Sequence, residues 1–136
     1  MLAVENQLPA ASTGLALSGM DYQKIILRRN DFRGRVEALF QQMDLLLIPT
    51  TGVASPTVAQ MATLGEDASL ISALLRFTCP FDTTGSPTIT LPAWFTAQGT
   101  PVAFQFVARP FEEELLVRAG WAWQQATDWH RKHPAL

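Results

Sequence analysis

The sequence predicts an α/β fold, and three observations carry that prediction. The stretch between Pro9 and Pro49 is free of proline and shows helical periodicity. Short apolar runs at 45–48, 88–91 and 101–108 are each bounded by Pro or Gly. A second long periodic segment follows Phe111. The order helix, strand, helix, strand, strand, helix is one in which helices cover a sheet.

The first helix is expected over 20–42. From Tyr22, apolar residues recur at Ile25, Ile26, Phe32, Val36, Leu39, Phe40 and Met43, which is one helical stripe. Ser18 is the expected N-cap, with Asp21 three places on as its acidic partner. Leu45-Leu46-Leu47-Ile48 is a continuous apolar run closed by Pro49, which suits a strand buried on both faces of a parallel sheet. Residues 50–64 are small, polar and Pro-containing, and predict a loop. A short helix follows over about 66–77, opening at Gly65-Glu66-Asp67 and carrying Leu70, Ile71, Leu74 and Leu75.

Residues 77–87 are dense in turn formers and predict a loop. Thr88-Ile89-Thr90-Leu91 alternates and is β-branched, with Pro92 as its expected end. Pro101 to Ala108 forms the next strand across a Gln98-Gly99-Thr100 turn, giving a hairpin or two neighbouring strands. The last helix opens at Phe111, with Glu112, Glu113 and Glu114 favouring its positive end. Its buried stripe is Leu115, Leu116, Ala119, Trp123 and Ala126.

Composition narrows the function classes. The chain has 136 residues, 48% hydrophobic and 16% charged, with a net charge of −2. Disordered chains show the opposite balance. No block of like charge is long enough for a nucleic-acid footprint. The length suits one unit over 1–136, with 1–17 a poorly structured lead-in and 129–136 a frayed tail. High apolar content with little charge, at a mean hydropathy of +0.11, points to apolar surface reserved for a partner. No run reaches the roughly 20 apolar residues of a membrane helix. Met1-Leu2-Ala3-Val4-Glu5 lacks the basic flank of a signal peptide. The single Cys79 cannot form an internal disulfide, so a cytoplasmic, reducing compartment is expected.

No complete catalytic constellation is evident. Gly85-Ser86 is followed by Pro87, so the nucleophile elbow is absent, and Ser86 reads as a turn residue. Cys79 would need a neighbouring His, and the two His, His130 and His133, sit in the tail. That pair lacks a third nearby ligand for a metal. Consecutive Glu112, Glu113 and Glu114 scatter around a helix axis rather than pairing for acid–base work. Trp123 reads as core, whereas Trp121 covers a neighbouring surface. There is no phosphate loop or dinucleotide fingerprint, and neither cofactor nor metal is expected.

Three ordered segments resemble the amidase signature family. Asp44-Leu45-Leu46-Leu47-Ile48-Pro49-Thr50 resembles its strand of Asp, apolar residues and Pro-Thr. Phe77-Thr78-Cys79-Pro80-Phe81-Asp82-Thr83-Thr84-Gly85-Ser86-Pro87, running on to Leu91-Pro92, resembles its Thr-x-Pro-Phe-Asn and Gly-x-Pro segment. Pro101-Val102-Ala103-Phe104-Gln105, then Arg109, resembles its Pro-Val-Gly-x-Gln strand and the turn before the last helix. Asp21-Tyr22 before the long helix also fits, and the likeness covers about 18–128. Asp82, Ala103 and Thr88 depart from the family's usual Asn, Gly and Ala at positions that read as structural.

The resemblance implies the C-terminal part of the amidase signature fold, a mixed β-sheet covered by helices. It also implies hydrolysis of carboxylic amides to acid and ammonia or amine in the complete enzyme. The family's Lys and two Ser belong to an earlier, Gly-Ser-Ser-rich part. Neither Lys24 nor Lys132 lies in that context, so no catalytic residue carries over and the chain alone is expected to be inactive. A truncated gene, half of a split enzyme, and a non-catalytic assembly module all remain open. The expected partner is the missing catalytic part, or a second copy. Within 77–87, Cys79, Phe81, Thr83, Thr84 and Gly85 are the candidate pocket-lining residues, since small and hydroxyl side chains allow close approach of a ligand. A structural crossover loop accounts for the same composition.

Overall fold

The computed structural model describes residues 14–133. The long helix, α1, runs from Gly19 to Leu39. Ser18 caps it as expected: its hydroxyl accepts from the Asp21 backbone N–H at 3.1 Å. β1 is Leu46–Pro49, α2 is Val58–Ala62, α3 is Ala68–Leu75 and α4 is Cys79–Thr84. β2 (Thr88–Phe95) and β3 (Pro101–Val107) precede α5, Glu113–Ala126. Single 3-10 turns occupy Leu64–Glu66 and Trp129–Arg131. Of the lead-in, 1–13 lies outside the described residues, as does 134–136 of the tail.

The strands order as β1-β3-β2, so the last strand in sequence is the central one. Both pairings are antiparallel, with Leu46 opposite Val107 and Thr88 opposite the same residue from the other side. The alternation of a strand then sorts residues onto two faces. Gln105 and Val107, flanked by Leu46 and Ile48, face the C-terminal end of α1 and α4, where Val36, Phe40, Met43 and Phe81 complete the core. Phe104 and Phe106 face α5, with Phe104 edge-on to Trp123 at 5.0 Å. Helices thus cover both faces of a small sheet, the expected α/β architecture.

Several element-level expectations are corrected. β1 is neither parallel nor doubly buried: it is an edge strand, and Leu47 is 63% exposed. A continuous apolar run does not distinguish a central strand from an edge whose neighbour lies elsewhere. β2 does not stop at Pro92 but continues to Phe95, with the register slipping between Pro92 and Trp94. Proline is tolerated there because β2 is an edge strand and one side of its backbone needs no partner. The turn-like segment 77–87 contains the helix α4, with proline in its first turn and Gly85 at φ +76° as its left-handed C-cap. Its turn formers are the start and stop of a helix.

Smaller shifts have the same kind of cause. The 50–64 loop contains α2, closed by a reciprocal Thr57–Gln60 capping box. The following helix begins only after Asp67, whose carboxylate accepts from Leu70 N–H at 2.9 Å. α5 starts at Glu113, not at Phe111, which takes φ +70° and is 94% exposed. Ala126 is exposed, and Gly120 takes its place in the buried stripe against Ile89 and Leu91 of β2.

Candidate functional site

One concavity lies where β1 ends. A cavity of about 700 Å³ is walled by Pro49, the loop from Thr50 to Pro56, Leu74 of α3, and the β2 and β3 residues Thr90, Pro92 and Pro101–Ala103. The start of the loop is held by two backbone hydrogen bonds. Thr50 N–H donates to the Ala103 carbonyl at 3.4 Å, and Gly52 N–H donates to the Ala73 carbonyl at 2.8 Å. Gly52 is required by that approach: a Cβ there would stand 2.9 Å from the Ala73 oxygen. Thr51 Oγ1 donates to the Val53 carbonyl at 2.7 Å, closing a tight turn.

The wall is apolar with hydroxyls set into it, the composition of a small-molecule site. Thr51, Ser55 and Thr90 supply those hydroxyls. Thr50 Oγ1 is shut off from solvent and has no hydrogen-bond partner among the described residues. The cavity offers binding groups without a nucleophile–base pair. Below it, Gln105 is 1% exposed and its Nε2 donates to the carbonyls of Pro49 at 3.3 Å and Phe77 at 2.8 Å. One buried amide therefore ties the end of β1 to the entry of α4.

The sequence singled out residues of α4 instead, and the structure separates them. Cys79 is exposed and, with Thr83, lines a groove of about 570 Å³ between α1, α3 and α4. Phe81 packs against the Val36–Phe40–Val107 core. Thr84 is buried, and its Oγ1 lies 3.2 Å from the Phe81 carbonyl, to which it donates, and 2.8 Å from Ser86 Oγ. Gly85 is the helix stop. The loop 50–56, which forms half of the cavity wall, carried its own signal: a Thr-Thr-Gly run of small residues directly after a strand.

Other candidate groups are engaged structurally or lie far apart in the fold. Cys79 and His133 line different concavities. Lys24 pairs with Asp21 at 3.1 Å and Lys132 with Asp128 at 2.9 Å, both at the surface. No cluster of His, Cys, Asp or Glu suited to a metal occurs among the described residues. No helix among them is long and apolar enough to cross a membrane. Arg109 donates to the Phe40 carbonyl at 2.8 and 3.2 Å and to Met43 at 3.3 Å, and it reaches Glu112 at 2.9 Å. The hydrogen bond to Glu112 raises its pKa above the ordinary arginine value. The family-like Arg after β3 is thus a clasp on the end of α1.

Residues 4–117 match the model of the Amidase family. The chain is 46% identical to AmiD of Mycobacterium bovis over 123 residues, covering 90% of this chain and 26% of that protein. It is 39% identical to a glutamyl-tRNA(Gln) amidotransferase subunit from Moorella thermoacetica, over 85% of this chain and 23% of that one. Among solved structures, 6-aminohexanoate cyclic dimer hydrolase superposes with a TM-score of 0.75 at 26% identity, over 88% of this chain and 27% of the hydrolase. The chain spans about a quarter of the length of the relatives it matches. Its α/β fold is that of an amidase segment, and the chain belongs to the amidase family.

Proposed function

We propose that this chain is the C-terminal part of an amide-hydrolysing enzyme, working with a remainder that carries the Ser-Ser-Lys set. The carrying observation is that 90% of the chain matches only 26% of AmiD, and 85% of it only 23% of the amidotransferase subunit. The chemistry of its own groups supports the same division. Amide hydrolysis needs an activated nucleophile, a base and donors for the oxyanion. Here Ser86 is engaged with Thr84, and both lysines sit in exposed ion pairs. The cavity at the end of β1 would be this chain's share of the substrate wall. The complete enzyme would convert a carboxylic amide and water to acid and ammonia or amine. On this reading the protein works in the reducing cytoplasm, where exposed Cys79 stays a thiol.

The test is an amidase assay on one aliphatic and one aromatic amide. The purified chain alone should give no turnover above a heat-killed control. Adding AmiD truncated of the quarter that this chain matches should bring turnover. Turnover by the chain alone would overturn the division of labour. Tight assembly without turnover would favour a non-catalytic scaffold built on the same fold.

A further inference from the structure

The groove between α1, α3 and α4 sets arginines beside apolar side chains. Its floor is apolar, with Ile25, Phe32, Leu75 and Pro80. Its rim holds Arg28, Arg29 and Arg76. None of these three guanidinium groups has a carboxylate partner among the described residues. Two carboxylates of α1 are already committed, Asp21 to Lys24 and Asp31 to Arg35, each at 3.1 Å. Two of the arginines are also held in place. Arg29 Nε donates to the Thr83 carbonyl at 2.8 Å, and Arg76 lies over the Phe77 ring at 5.7 Å. On a chain with net charge −2, this is a local excess of positioned positive charge over apolar side chains.

We infer that this groove seats an acidic, apolar-centred segment of the remainder of the amidase fold. The inference rests on the functional reading above. Two arguments select that occupant. The chain covers 26% of its relative, so the other three-quarters of the fold has to meet this unit across some of its exposed apolar surface. The charge then fixes the chemistry of what arrives: guanidinium groups at the edge of an apolar patch pair best with carboxylates flanking apolar side chains. A small free ligand is disfavoured, because Ile25 and Leu75 remain 45% and 47% exposed on the floor and such a surface would bury little of it.

The experiment titrates the purified 136-residue chain onto immobilised AmiD truncated of its matching quarter, at low and at 0.5 M salt (about a 4 Å Debye length). Wild type should bind, and more weakly at high salt. R28E/R76E should weaken binding at least tenfold. R33E/R118E, the same charge change at exposed arginines outside the groove, should leave it within twofold. Circular dichroism melting confirms that each variant folds. Wild-type binding that R28E/R76E leaves unchanged would overturn the groove while the functional reading stands. No wild-type binding would overturn that reading and the groove with it. If the chain alone forms a dimer in sedimentation that R28E/R76E dissociates, the occupant is a second copy and the inference fails.

Discussion

Gln105 Nε2 donates to the Phe77 carbonyl at 2.8 Å from a side chain that is 1% exposed. The two residues lie far apart in sequence, and the same amide also reaches the Pro49 carbonyl. Replacing Gln105 by Leu leaves both carbonyls without this donor, which costs about 1–3 kcal/mol for each group left buried and unpaired. The expected outcome is a lower urea midpoint with an unchanged m-value. An unchanged midpoint would show that water replaces the amide.

Arg109 clasps the end of α1 through planar, forked hydrogen bonds. Lysine keeps the charge but not the fork. R109K should therefore loosen the turn 40–44, read as faster amide hydrogen exchange at Gln41 and Gln42. Exchange equal to wild type would mean that charge alone holds that turn.

Two glycines separate a hard contact from a soft one. Gly52→Ala drives a methyl group onto the Ala73 backbone oxygen and should cost about 1–3 kcal/mol through overpacking. Gly120→Ala meets the Ile89 Cδ1 methyl at 3.0 Å, the end of a side chain able to turn aside. Up to about 1 kcal/mol of helix propensity is gained there. Thermal melts should rank G120A well above G52A, and the reverse order would refute the placement of the 50–56 loop.

Asp21 has its pKa lowered first by the Ser18 hydroxyl and then by Lys24. A carboxylate depressed on folding stabilises the folded state above its unfolded pKa. That contribution is lost as the pH falls through the folded value, here below the ordinary aspartate value of 3.8. In Ser18→Ala, the Asp21 titration followed by NMR should move back up, and the start of α1 should loosen. An Asp21 titration identical in the variant would remove the hydroxyl as the cause.

The edge position of Leu47 predicts a division between folding and association. L47K should leave the melting temperature of the isolated chain nearly unchanged, since surface substitutions usually stay within about 0.5 kcal/mol. Lysine on a free edge opposes strand addition, so light scattering should show less self-association than wild type. A large drop in stability would place Leu47 in a core.

The long helix, its Ser18 cap and the β3 strand were legible because each rests on local chemistry: periodicity, a capping hydroxyl, alternation. Pro92 and Leu47 were misread because edge or centre is a property of strand order. β3 settles that order from more than fifty residues downstream of β1. The 77–87 segment was read as a loop for a different reason, since Pro and Gly punctuate a loop and a two-turn helix alike. Of the candidate site, the hydroxyl run after β1 was visible, but its cavity exists only once Leu74, Thr90 and Ala103 close on it. The arginine groove likewise joins positions 28, 29 and 76, a pairing that periodicity does not reveal.

The strand order also governs synthesis. β3 is both the last strand made and the one to which the other two bind. Until β3 begins to emerge at Pro101, Leu46–Pro49 and Thr88–Phe95 have no partner within this sheet, and their edges stay open for that time. Unpaired apolar edges on a growing chain invite wrong pairings. Premature termination anywhere before Pro101 would therefore abolish this sheet altogether, where loss of an outer strand would only shorten it.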